Sequence, residues 1–246
     1  MDEVAVTREG EGPEVLLVHG GASAATTWSG LEPLRDRWTL VTVHRRGFPP
    51  SPPPPDGRQD FEVDAADLVP LLERRLHVVA HSYGALGALI AAAERPAQVR
   101  SLTLIEPPLF HLVPGDPELM RFQRLGDEVL ARGLDADPAT LWEFLRVAGS
   151  PVPDGGPLPG PVAQAVRRAH GSRSPSGARP RLDVLREAGI PVLVASGDHA
   201  AFLERAADAL ADELQAQRLV TPGAGHFVAA APGFGDHLER FLVAAG

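Results

Sequence analysis

The sequence contains no cysteine in 246 residues. That single absence removes disulfides, thiolate nucleophiles and cysteine-ligated metals. Basic excess is also missing. The formal net charge is −9, with the acids spread along the chain, so the surface offers no electrostatic footprint for nucleic acid. No stretch approaches the roughly 20 consecutive apolar residues that a membrane span requires. The opening "MDEVAVTREGEGPE" is acidic and lacks an apolar run, which argues against a signal peptide or anchor. A soluble, cytoplasmic protein acting on a small molecule is the resulting expectation, with no membrane or nucleic-acid partner, no cofactor and no metal. The oligomeric state is left open.

What is present is 44% hydrophobic residues, ordinary for a globular domain. Short, continuous apolar runs alternate with helical patterns. "EVLLVHG" and "LHVVAHS" read as strands buried on both faces, and "WTLVTVHRRG", "VRSLTLIEPP", "IPVLVASG" and "AQRLVTPG" as further strands. "TTWSGLEPLRDR", "DFEVDAADLVPLLERR", with Asp60 as N-cap, and "YGALGALIAAAER" read as helices, as do "AAFLERAADALADEL" and "GFGDHLERFL". This alternation predicts an α/β fold with a mostly parallel central sheet and helices on both faces. It breaks between residues 110 and 180, where helix-like pieces alternate with Pro/Gly/Ser stretches such as "GSPVPDGGPLPGP". We expect residues 1–109 and 181–246 to form the core and 110–180 a helical cap. The run "FPPSPPPPDG" predicts a stiff polyproline connection.

The chemistry concentrates in Ala80-His81-Ser82-Tyr83-Gly84. A strand ends, a sharp turn follows and a helix begins at once. This is the nucleophile elbow G-x-S-x-G with alanine in the first glycine position. Residues two before and two after the serine must be small because the helix doubles back onto the strand. The helix N-terminus then lies under Ser82, where its dipole favours developing negative charge. An N-capping role is the plainer reading of Ser82, but strand before and helix after favour the nucleophile. Upstream, His19-Gly20-Gly21 ends another buried strand. Gly21, with Tyr83, is the candidate pair of oxyanion N–H donors. Downstream, His226 lies on a Gly-rich loop just before the last helix, in the chain order Ser…acid…His.

Together these segments resemble the α/β-hydrolase family over nearly the whole chain outside the cap. The resemblance rests on the "HGG" turn, "HRRGFPPS", "AHSYG", "RSLTLIEPP", "GIPVLVASGD" and "PGAGHF". It departs where Ala80 replaces glycine, where His44 stands for the common aspartate, and where Pro49 stands for glycine. The resemblance implies a serine hydrolase, esterase-like, with an acid at G-x-x-D after the next-to-last strand. Three residues past Gly197 stands Ala200, which carries no acid. Glu106, at the neighbouring strand tip used by haloalkane dehalogenases among others, is the leading substitute, and Asp198 is the reserve. Adjacent strands lie about 4.8 Å apart, so either tip can reach one imidazole. His199 has no assigned role and is expected at the surface or pocket rim. Phe110, Phe122, Trp142 and Phe144 are candidate wall residues of an apolar substrate site, though packing of cap on core explains each equally well. Arg45 and Arg46 are expected in structural ion pairs. The same constellation also serves thioesterases, lactonases, carbon–carbon bond hydrolases and some lyases, and a non-catalytic binding protein on this fold is the remaining alternative.

Overall fold

The computed structural model of the chain describes residues 2–150, 152 and 156–246; part of the predicted Pro/Gly loop, residues 151 and 153–155, lies outside them. Seven strands form one sheet: β1 (Val6–Glu9), β2 (Glu14–Val18), β3 (Thr39–Val43), β4 (Leu76–His81), β5 (Val99–Ile105), β6 (Val192–Ser196) and β7 (Gln217–Val220). Their order is β1-β3-β2-β4-β5-β6-β7. β1 runs antiparallel against β3 and every other pairing is parallel. The most apolar strands occupy the middle. β4 is buried at every residue, whereas β1 at the edge is largely exposed.

The helices are α1 (Ala24–Thr27), α2 (Phe61–Leu68), α3 (Gly84–Glu94), α4 (Pro117–Arg132), α5 (Pro138–Val147), α6 (Gly160–Ala169), α7 (Leu182–Glu187), α8 (Ala201–Leu214) and α9 (Phe234–Ala244). Successive strand side chains point to opposite faces, and β2 divides accordingly. Leu16 and Val18 join the core under α2, α3, α7 and α8, while Val15 and Leu17 join Trp28, Leu31 and Phe241 on the other side. Asp60 caps α2 as expected, accepting from the Glu62 N–H. α3 is built of Gly, Ala, Leu and Ile because it threads between the sheet and α2. A Cβ on Gly87 would meet the Asp64 Cβ at 2.7 Å.

Between β5 and α7 the chain runs through α4, α5 and α6. Asp116 and Asp137 cap α4 and α5 just ahead of Pro117 and Pro138. Two small apolar clusters organise this segment, one around Phe110, Leu119, Phe122 and Phe202 and one around Val129, Leu141, Leu145 and Val166. Among the described residues no helix is long and apolar enough to cross a membrane.

Two expectations fail locally. "TTWSGLEPLRDR" is not one helix. It splits into α1 and a 3-10 turn at Glu32–Asp36, with Gly30 packed against the Ala229 carbonyl and Pro33 opening the second piece. The proline run is not an extended rod either. Its backbone turns on itself, with the Gly47 N–H donating to the Pro52 carbonyl and the Ser51 N–H to the Phe48 carbonyl. The Ser51 hydroxyl also donates to the His44 carbonyl. A polyproline helix has no such internal bonds.

Candidate active site

The functional side chains converge at the C-terminal tips of neighbouring parallel strands, where α/β sheets place their ligands. β4 ends at His81 and leads directly into Ser82, whose φ of 52° is rare for a residue with a Cβ. The strain is held from two sides. The Ser82 N–H donates to the Ile105 carbonyl at 2.8 Å, and the Ser82 carbonyl accepts from Ala85. Gly84 permits the turn, since a Cβ there would lie 2.1 Å from the His19 carbonyl oxygen.

Ser82 Oγ lies 3.0 Å from His226 Nε2. On the other side of the ring, His226 Nδ1 lies 3.5 Å from Glu106 Oε2. Glu106 is 8% exposed and takes a φ of 51° where β5 ends. Its other oxygen accepts from the Gly197 N–H at 2.8 Å. Gly197 in turn lets the histidine loop settle on the β6 tip, because a Cβ there would collide with the Gly225 carbonyl at 1.8 Å. Burial pulls the His226 imidazole down to about 4, so the ring is neutral and able to accept a proton near pH 7. Burial also pushes the Glu106 carboxyl above the ordinary glutamate range, opposed by the His199 imidazole and the Gly197 N–H.

Asp198 stands apart. It is exposed, its φ is 56°, and its contact is a backbone N–H donated to Glu204 at 2.9 Å. His199 corrects the expectation of a surface or rim residue. Its side chain is only 12% exposed, and Nδ1 sits 3.7 Å from Glu106 Oε1. Both its ring nitrogens are buried without a hydrogen-bond partner among the described residues. Glu106, His199 and His226 bring one ligand atom each within 4.8 Å of one another, the donor types that hold zinc.

One further group, His81, escaped the sequence, and the ion pair expected of Arg45 forms with Asp64. His81, buried inside the elbow, donates from Nε2 to the His226 carbonyl at 2.8 Å and so fixes the histidine loop. Burial lowers it to about 3, so it stays neutral. Arg45 lies beside the Gly20-Gly21 turn. Its guanidinium donates to Asp64 (2.6 Å), Gln59 (2.7 Å) and the Gly20 carbonyl (2.8 Å). Because a trans peptide sets C=O and N–H on opposite sides, holding the Gly20 carbonyl also fixes the direction of the Gly21 N–H. Nothing in the local sequence announces either contact, since the partners lie 145 and 19 residues away. Arg46 pairs with Asp67 at 2.7 Å.

A cavity of about 220 Å³ opens onto Ser82. Gly21 and Tyr83 line it, as do Phe110, Phe122 and Phe144. Phe122 stacks on Phe144 with centroids 5.3 Å apart and meets Phe110 edge-on at 5.9 Å. Trp142 does not line it. Helical spacing turns Leu141, Phe144 and Leu145 inward and leaves Trp142 half-buried off that face.

Residues 15–234 match the sequence model of the alpha/beta hydrolase family, and the chain belongs to that family. It is 30% identical over 241 residues to the 2-(acetamidomethylene)succinate hydrolase of Mesorhizobium japonicum, covering 91% of this chain and 84% of that protein. It is 36% identical over 135 residues to the pimeloyl-[acyl-carrier protein] methyl ester esterase of Methylococcus capsulatus, covering 53% of this chain and 52% of that one. The relatives are named as hydrolases and esterases, and ester hydrolysis fits the family. Among solved structures, an esterase from Thermogutta terrifontis superposes with a TM-score of 0.69 over 98% of this chain and 93% of its own. At 23% identity that likeness is one of fold.

Proposed function

We propose that the protein is a carboxylesterase-like serine hydrolase that cleaves a small to medium, fairly apolar ester through an acyl-enzyme on Ser82. The observation that carries this reading is the Ser82 Oγ to His226 Nε2 contact of 3.0 Å, backed by a buried carboxylate and facing an apolar cavity. His226 takes the Ser82 proton as the hydroxyl attacks the ester carbonyl. The N–H groups of Gly21 and Tyr83 receive the oxyanion. His226 returns the proton to the leaving alcohol, and water then cleaves the acyl-enzyme by the same steps. Glu106 holds the Nδ1–H tautomer and stabilises the imidazolium. The segment 110–180 acts as the cap, supported by the wall residues it sends into the cavity: Phe110, Phe122, Phe144, Ala165 and Arg168. The cavity volume sits below the roughly 300–1,000 Å³ of drug-sized sites, which favours a short substrate.

Labelling with a fluorophosphonate probe tests the nucleophile. Wild type should label and Ser82→Ala should not. Turnover of short p-nitrophenyl esters should fall about 10³-fold or more in Ser82→Ala. An unlabelled wild type sinks the assignment, and labelling without turnover of any short or medium acyl ester sinks the name carboxylesterase.

A further inference from the structure

The wall of the cavity carries a group that ester cleavage does not require. Arg168, near the end of α6, lines the same cavity as Ser82. Its guanidinium carbon lies 4.5 Å from the centroid of the Phe48 ring. Its Nε donates to the Gly47 carbonyl at 3.2 Å. These contacts fix the plane of the group but occupy one N–H of five. Among the described residues no carboxylate pairs with it. Partial burial lowers its pKa. Arg45, the other arginine on the wall, differs: Asp64, Gln59 and the Gly20 carbonyl take its donors. The acid on the wall nearest in kind, Asp127, is engaged by the Ser174 hydroxyl at 3.2 Å. The remainder of the wall is dominated by Phe110, Phe122, Phe144, Leu130 and Leu203.

We propose that Arg168 is an anion subsite, and that the substrate is an ester carrying a carboxylate separated from the scissile carbonyl by a short apolar spacer. This rests on the reading of Ser82 as nucleophile and narrows its substrate class. The chemistry follows from the fork. A guanidinium held flat by an aromatic face presents parallel N–H groups that match the two oxygens of one carboxylate. A dianionic phosphate would bring twice the charge to a wall whose other arginine is already paired. The apolar rings then cover the methylene spacer, and the uncharged ester end reaches Ser82. The wall also carries the acids Glu106 and Asp127, so a single carboxylate fits better than a polyanion.

The test is a ratio. The full-length protein is assayed by pH-stat on monomethyl glutarate and monomethyl adipate against methyl pentanoate and methyl hexanoate, which match them in acyl length. Wild type should favour the hemiesters by roughly 10- to 100-fold in kcat/KM, the range a hydrogen bond to a charged group provides. Arg168→Gln should bring that ratio close to one, chiefly through KM of the hemiesters, and Arg168→Lys should restore part of it. Fluorophosphonate labelling of each variant reports whether Ser82 is intact. A wild-type ratio near or below one, or a ratio that survives in Arg168→Gln, overturns the subsite while leaving the nucleophile standing. Loss of labelling in the wild type overturns the hydrolase reading itself, whatever the ratio.

Discussion

Replacing Glu106 by glutamine removes a charge and almost nothing else. The amide oxygen can still accept the Gly197 N–H now bound at 2.8 Å, so the β6 tip keeps its partner. What disappears is the attraction between a carboxylate and the imidazolium that forms during attack. At the 3.5 Å separation of His226 Nδ1 and Glu106 Oε2, an effective dielectric near 20 makes that attraction about 5 kcal/mol. The His226 side chain is 23% exposed, and solvent trims the figure to about 4 kcal/mol. That corresponds to about 10³-fold in kcat/KM, and because the amide oxygen stays on the Gly197 N–H, the NH₂ faces the ring, stabilises the wrong tautomer and deepens the loss to about 10⁴-fold. The assay is steady-state hydrolysis of a short p-nitrophenyl ester beside a thermal melt. Glu106→Gln should melt near wild type and lose that activity. Asp198→Asn should stay within about threefold, because the exposed Asp198 side chain takes no part in the cluster around His226. Glu106→Gln within tenfold of wild type, with Asp198→Asn down a hundredfold, would refute the reasoning and return the acid to the β6 tip.

Two further predictions use the same surroundings. Burial lowers His226 to about 4, so its neutral, proton-accepting form persists below the ordinary histidine value of about 6.5, while burial raises the Glu106 carboxyl above the ordinary glutamate range. Activity should therefore be full above both titrations and lost as pH falls through them, with apparent values that belong to the pair. Full activity persisting as pH falls below about 4 contradicts this. Gly84→Ala drives a Cβ to 2.1 Å from the His19 carbonyl, backbone against backbone, whereas a Cβ on Gly21 meets nothing within 4 Å. The first should cost about 3 kcal/mol or somewhat more and lower Tm by roughly 5–10 °C. Gly21→Ala should melt within about 1 °C of wild type. Equal melting of the two variants refutes the steric account of the elbow.

The features that sequence conveyed are those set by neighbours in the chain. A strand buried on both faces needs continuous apolar residues, and β2 and β4 advertise that in five or six letters. The elbow is legible for the same reason, since Ala80, Ser82 and Gly84 all lie within one turn. The cap of α2 follows from Asp60 just ahead of its apolar pattern. What stayed hidden is carried by contacts across the fold. His81 looks like a spacer in the motif, and only the returning loop gives it the His226 carbonyl. The ion pair expected of Arg45 forms, but only the fold identifies its partner, Asp64, which α2 delivers beneath it. The proline run misled because composition reports the φ of each residue, while the bonds from Ser51 to the His44 carbonyl and the Ala5 N–H decide where the segment goes.

On the proposed reading, Glu106 takes the acid's place one strand away from where the family pattern sets it. β5 and β6 pair in register with Ile105 opposite Ala195, so Glu106 emerges beside the loop that begins at Gly197. Ala200, where the family pattern expects a carboxylate, packs with the apolar cluster of Phe110, Phe122 and Phe202 at the start of α8. Glu106 meets the opposite conditions. The Gly197 N–H satisfies one oxygen, and the His199 imidazole, contributed by the same loop that lacks the acid, lies beside it. Its extra methylene spans part of the roughly 4.8 Å between neighbouring strands. The loop after β6 thus supplies the hydrogen bond and the neighbouring ring, and β5 supplies the charge. On this account the two tips form one functional unit, and replacing Gly197, with its N–H displaced by a side chain that the Gly225 carbonyl cannot accommodate, should disable Glu106 as surely as removing the carboxylate.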